Sequence, residues 1–476
     1  MTAPDPARLV LPAIRWSDET GFEHAGDAIG EALALGVGGF IIFGGAAEQV
    51  RELTASLRAR AGRPLLIGAD LERGAGQQFA GLTELPPPRA LASLDDLDVI
   101  REAGRITAME ALSVGVNWVF APVADLDLAA NNPIVQTRSF GDEPAKVAAA
   151  VRAWIEGCQG AGALACVKHY PGHGRTTTDS HAGLPVVEAD AESLATIDRI
   201  PFAAAVDAGV AGVMTAHVAY PAIDLGSLPA TLSSVILGGL REELGFDGVI
   251  VTDALIMDGA FVGRSEGAAY VQAVAAGVDL LLYPKQPQVA REALAVAVDE
   301  GTLSRERLED ALARYARLLA RTEADRPTVR APAGADRGLA DRLVGRGLVR
   351  GEKLRLREPL DLVIVDDDLG GPYPASPSDW TAAWLQAHGI ALGQGGSRVV
   401  LAFAEPRAWK GRGGFGRVSR DRLLVETPMA ALIVLFAHPR LMGEIPSDAP
   451  LMHAWHRQRP MQEAVARWIA SVLERP

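Results

Sequence analysis

Leu164-Ala-Cys-Val-Lys168-His169-Tyr-Pro-Gly-His173-Gly-Arg-Thr-Thr-Thr-Asp179-Ser-His181 joins an apolar run to a loop carrying three histidines and an aspartate. A strand with apolar residues at successive positions is buried on both faces, which is the condition of a parallel sheet covered by helices. Ionisable residues at such a strand's end would stand where α/β proteins present their sites.

Seven more runs of this kind flank it, at 9–11, 39–43, 65–69, 117–121, 212–216, 249–252 and 279–283. Amphipathic stretches separate them, among them 24–35, 47–60, 97–114, 147–160, 192–208 and 232–244. In 192–208, Leu194, Ile197, Phe202, Ala205 and Val206 approximate a helical stripe, and Pro201 predicts a kink or restart. Eight βα repeats over about 300 residues imply an α/β fold of the (β/α)8, TIM-like barrel kind rather than an open doubly wound sheet. The barrel is expected over 1–321, ending in a basic amphipathic helix at 305–321, followed by a polar, proline-containing linker over 322–340. The pattern restarts over 341–476, with strands at 362–365, 399–403 and 432–436 and helices at 380–388 and 462–473, as a smaller α/β sandwich domain.

The chain has 476 residues, is 49% hydrophobic and carries a net charge of -13. That charge opposes nucleic acid or an anionic membrane as a partner and favours a small or neutral substrate. The first apolar run is short and broken by Pro12, unlike a secretory signal, and no run has the length of a membrane span. Cys158 and Cys166 have no zinc-like spacing and read as buried thiols. A cytoplasmic location is the expectation.

In a barrel, the residues just past each strand converge on one face. Here these are Asp70, Asp125, Lys168 with His169, His217 and Asp253. Asp179 and His181, two apart in an extended segment, point the same way, so the carboxylate can fix the imidazole tautomer as a general acid or base requires. An isolated Asp-x-His is more often a cap beside a surface histidine, and Asp253 alone could be a helix N-cap; the surrounding residues favour the chemical readings. Lys168, His169 and Asp70 supply directional donors and acceptors suited to sugar hydroxyls. His169 and His173 have a zinc-like spacing, but Pro171, Gly172 and Gly174 prevent a regular helix, and Lys168 puts a positive charge where a dication would sit. No metal or cofactor is expected. Gly411-Arg-Gly-Gly-Phe-Gly416 formally matches a dinucleotide fingerprint, yet it follows the wrong strand and has charged flanks, so a surface loop is expected.

Lys168-His-Tyr-Pro-Gly-His-Gly174 with Asp179-Ser-His181 resembles the signature loop of glycoside hydrolase family three, in its β-N-acetylglucosaminidase branch. Val249-Ile-Val-Thr-Asp253 is similar to that family's nucleophile strand, and Thr137-Arg-Ser-Phe-Gly141 to its substrate-binding loop. The resemblance spans the barrel and, more weakly, the second domain. It implies Asp253 as nucleophile, His181 as acid/base with Asp179 as its partner, and Asp70, Arg138, Lys168 and His169 as sugar-holding residues. The implied reaction is release of β-linked N-acetylglucosamine with retention, with cell-wall turnover fragments as its source. Asp70-Leu-Glu-Arg73-Gly-Ala-Gly-Gln-Gln78 departs from the family pattern, with Gln78 in place of an arginine, and Ala254 stands where that branch commonly has a second aspartate. These departures leave a β-glucosidase-type enzyme open. A histidine is neutral after giving up its proton and does not repel phosphate as a carboxylate would, so a phosphorylase is also open. A non-catalytic sugar-binding protein is the alternative of another class.

Overall fold

The computed structural model describes residues 5–177, 183–226, 228–322, 335–351, 354–370 and 375–474. The chain forms two compact units, the first comprising Met1–Thr83, Asp96–Ala129 and Ser139–Pro332, the second Glu84–Asp95, Ala130–Arg138 and Ala333–Pro476.

The first unit is a closed parallel barrel. Its strands are β1 (Val10–Leu11), β2 (Ala13–Arg15), β3 (Gly39–Phe43), β4 (Leu66–Ala69), β5 (Trp118–Val119), β6 (Leu164–Tyr170), β7 (Gly212–Thr215), β8 (Val249–Val251) and β9 (Leu281–Leu282). β1 and β2 are one strand position divided by Pro12: β2 pairs with β3 while β1 pairs with β9. Strands β2 to β8 follow one another in order. The ring closes through a parallel bridge between Val251 and Leu280 and a hydrogen bond from the Thr252 amide to the Leu280 carbonyl (3.1 Å). An open sheet would leave the first and last strands unpaired, so these contacts decide for the barrel.

Alternation along the strands fills the interior. Leu9, Leu11, Leu66, Trp118, Phe120, Leu164, Cys166, Val249, Val251, Leu280 and Leu282 belong to one buried cluster. Each large side chain buried there contributes about 1.5–3 kcal/mol. Helix Arg305–Ala320 adds Leu308, Ala311, Tyr315 and Leu318 at the end where the strands begin. Its Tyr315 hydroxyl donates to the Gly38 carbonyl at 2.9 Å, just before β3. The stretch 192–208 is interrupted as expected: a π-helical segment, Leu194–Asp198, precedes helix Ile200–Asp207, in whose first turn Pro201 lacks no needed N–H. No helix among the described residues is long and apolar enough to cross a membrane.

The second unit is built on a five-stranded sheet of β10 (Leu348–Arg350), β11 (Asp361–Asp366), β12 (Arg398–Ala404), β13 (Leu432–Ala437) and β14 (Leu451–His453), in the order β10-β14-β13-β12-β11. All neighbours are parallel except β10 against β14. β10 and β14 have only three residues each, too few to reveal a period, and the sequence pattern did not disclose them. At the carboxyl ends of β11 and β12, Arg457 is fully buried and binds Asp366 (2.8 Å) and Asp368 (2.7 Å). The Gly411–Gly416 loop wraps Asp367, whose carboxylate accepts from the Gly416 amide (2.9 Å) and the Ser419 hydroxyl (2.7 Å). The helix start that a nucleotide's phosphate would need is thus already bound by a carboxylate of the chain itself.

Candidate active site

The site-bearing positions continue the inward alternation of the strands. Two residues beyond Cys166 stands Lys168, and two beyond Val251 stands Asp253. Asp70 likewise follows Leu66 and Gly68 on the same parity. Three strands therefore aim a cation and two carboxylates over the barrel core.

Lys168 is 3% exposed at its side chain and bridges Asp70 (2.6 Å) and Glu72 (2.7 Å). Asp70 was expected at the rim from its place past β4, whereas Glu72 was not. Its signal was present, because residues 70 and 72 share a direction in extended chain. Two carboxylates fix the ammonium and leave a net negative cluster.

His169, the next residue, should face the opposite way in a regular strand. The β6–β7 pairing shifts register between Val167 and Tyr170, and both side chains take part in the site. His169 Nδ1 lies 2.7 Å from Asp125 Oδ2, and its Nε2 lies 4.0 Å from Asp253 Oδ2. Asp125 is fully buried, and its other oxygen accepts from the backbone amides of His169 (3.2 Å) and His173 (2.6 Å). Burial opposes the Asp125 charge, but His169 and His173 outweigh it and hold its pKa below the ordinary value. An ionised Asp125 accepts a hydrogen bond from Nδ1–H of His169, which fixes the tautomer and leaves Nε2 as the nitrogen turned to Asp253.

Asp253 is 21% exposed at its side chain, and its Oδ1 accepts from the Ala254 amide at 2.7 Å. Burial opposes its ionisation, yet His169, His217, the Ala254 amide and Lys168 together hold its pKa below the ordinary value. Asp253 is therefore a carboxylate at neutral pH. His217 is oriented by Thr231 Oγ1 (2.8 Å) and reaches the Ala254 carbonyl (3.3 Å), while burial lowers its pKa.

The Pro171–Gly174 segment is anchored by its glycines. Tyr220 donates to the Gly172 carbonyl at 2.8 Å, and a Cβ on Gly174 would lie 1.7 Å from the Leu126 carbonyl oxygen. Close backbone approach requires glycine at 174, and a positive φ of 135° requires it at 172. Asp179 and His181 lie outside the described residues. Arg138 belongs to the second unit, where its Nη1 donates to the Ile134 carbonyl at 3.3 Å. Gln78 uses its Oε1 to accept from the Gly44 amide at 3.2 Å. No cluster of potential metal ligands occurs among the described residues.

Buried histidines give the fold a pH dependence. Burial pushes the pKa values of His173 and His453 down to about 4, against an ordinary 6.5. Between about 4 and 6.5 the unfolded chain binds these protons and the folded chain does not, so this contribution is complete above 6.5 and lost as pH falls towards 4. Scanning calorimetry is expected to show Tm falling by about 5 °C or more across that window. A flat profile would contradict the burial of neutral histidines.

The model of the glycosyl hydrolase family 3 N-terminal domain matches residues 25–318. The chain belongs to glycosyl hydrolase family 3. Among similar proteins, a β-hexosaminidase of Thiobacillus denitrificans is 38% identical over 270 residues, 54% of this chain and 74% of that protein. A β-N-acetylglucosaminidase/β-glucosidase of Cellulomonas fimi is 33% identical over 317 residues, 64% of this chain and 56% of that one. The family 3 β-N-acetylglucosaminidase structure from Paenibacillus sp. str. FPU-7 superposes with a TM-score of 0.84 at 28% identity, covering 100% of this chain and 97% of that chain. This family 3 chain is accordingly a glycoside hydrolase, and its fold is the barrel with a following α/β domain.

Proposed function

We propose that the protein is an exo-acting, retaining β-N-acetylhexosaminidase, with Asp253 as nucleophile and His181, partnered by Asp179, as acid/base. The observation that carries this reading is the inward-facing Asp253, with Oδ2 turned towards the His169 edge and only Oδ1 engaged by the Ala254 amide. Asp253 attacks the anomeric carbon while His181 protonates the departing oxygen, and water then releases the sugar from the glycosyl-aspartate. Lys168, His169, Asp70 and Arg138 are assigned to the sugar. The names of the Thiobacillus and Paenibacillus proteins support an N-acetylhexosaminide as substrate. Cell-wall turnover fragments, met in the cytoplasm, are the natural source we assign to it.

The double name of the Cellulomonas protein favours a second reading, in which β-glucosides are also accepted. Aryl N-acetyl-β-glucosaminides and aryl β-glucosides, each assayed with and without phosphate, separate the possibilities. Hydrolysis of the first without sugar 1-phosphate is the expected result. His181→Ala should lose about 100-fold or more with poor leaving groups and much less with nitrophenols, which need little protonation. A loss independent of the leaving group would remove His181 from the acid role.

A further inference from the structure

The third of the barrel mouth formed by β9, β2 and β3 carries chemistry that the proposed reaction does not use. Arg15 ends β2 on the parity of Leu9, Leu11 and Ala13, the residues that face the interior core. Phe43 ends β3 on the parity of Ile41, and Tyr283 follows β9; both pack against that core. Arg15 and Phe43 are register partners across the sheet. Arg15 thus faces the barrel axis from the same end as Asp70, Lys168 and Asp253.

Its guanidinium is held rigidly. The Arg15 Cζ lies 4.1 Å from the Phe43 ring centroid and 5.3 Å from that of Tyr283, and Nε donates to the Tyr283 hydroxyl at 2.8 Å. Tyr283 holds a φ of 50°, a left-handed conformation that costs a non-glycine residue and that the surrounding structure must impose. Among the described residues no carboxylate pairs with Arg15, and neither Nη1 nor Nη2 makes a hydrogen bond. An inward-facing arginine with its fork oriented and unoccupied is uncommon, since partly buried charges are ordinarily paired. Lys168, by contrast, is shared by two carboxylates.

The geometry points to Arg15 as a specificity-determining residue that binds a carboxylate on the leaving group of the substrate, with Phe43 and Tyr283 as its support. This rests on the proposed glycosidase reading, which commits the Lys168, His169 and Asp253 side of the mouth to the sugar. The two terminal nitrogens match the two oxygens of a carboxylate in a bidentate pair, which a neutral amide cannot reproduce. Across the mouth, the Lys168 ammonium is already held by Asp70 and Glu72, and that net negative cluster offers a carboxylate no comparable partner.

The test compares meta- and para-carboxyphenyl glycosides with their carbamoylphenyl isosteres, in both the N-acetyl-β-glucosaminide and the β-glucoside series. The parent enzyme is expected to favour the carboxylate in kcat/KM by about tenfold in at least one pair. Arg15→Gln should bring that ratio to about one, and Arg15→Lys should leave an intermediate value. The ratio is insensitive to general damage, which lowers both isosteres together. Absence of a carboxylate preference in the parent, or its persistence in Arg15→Gln, overturns the assignment. Turnover confined to the glucoside series would instead revise the sugar while leaving the Arg15 ratio readable. If neither series turns over, calorimetric binding of the same four pairs decides the ratio independently of catalysis.

Discussion

Asp253→Ala is expected to lower kcat by at least a thousandfold, about 4 kcal/mol of barrel-mouth chemistry, while changing Tm little. Its side chain makes one hydrogen bond to the neighbouring Ala254 amide, so its removal orphans little in the fold. Azide supplies the decisive measurement. A small nucleophile can occupy the vacated space and attack the anomeric carbon of an activated aryl glycoside from the nucleophile's side, expelling the phenolate. The product would be an α-glycosyl azide, whose configuration is inverted relative to the substrate and identifies the face that Asp253 serves. Undiminished turnover, or a β-configured azide, would sink the nucleophile assignment.

Asp125→Ala should be the most damaging single change for stability and activity together. It leaves His169 Nδ1 and two buried backbone amides without their acceptor. Breaking a buried pair of this kind costs about 3–5 kcal/mol, read as a lower denaturation midpoint. Activity should fall by about 100-fold or more, because His169 loses the partner that fixes its tautomer. Asp125→Asn separates the two effects. Its amide oxygen can still serve the backbone donors, so stability should recover in part, but it cannot hold Nδ1 as an ionised carboxylate does. A stable, fully active Asp125→Ala would mean that His169 is positioned by something else.

Much of this was legible in the sequence because strands buried on both faces announce themselves as apolar runs, and eight of them left little choice of fold. The parity rule carries from there to Lys168 and Asp253, each two residues beyond an interior side chain, and to Asp70, four beyond Leu66. It also reaches Arg15, along Leu9, Leu11 and Ala13, but Pro12 broke the run and hid the continuation. His169 was found by residue type rather than by parity, since it joins Lys168 where the pairing of β6 shifts register. Asp125 was visible as a rim residue, yet its service to two histidines depends on backbone amides brought together by folding. The anchoring of Gly174 against Leu126 is likewise a contact that no local pattern encodes.

The second compact unit also bears on how such a chain can be cut and assembled. It takes in Glu84–Asp95 and Ala130–Arg138, segments made long before residue 333. Gln458 donates to the Leu85 carbonyl (2.7 Å), Gln136 to that of Gly413 (3.2 Å) and Arg440 to that of Ala130 (3.2 Å). A fragment beginning after residue 333 would lack two pieces of its own packing. During synthesis those pieces leave the ribosome first and wait for the last third of the chain. The earlier unit likewise cannot be excised without carrying two foreign strips of sequence, so the gene encodes two bodies that share one indivisible thread.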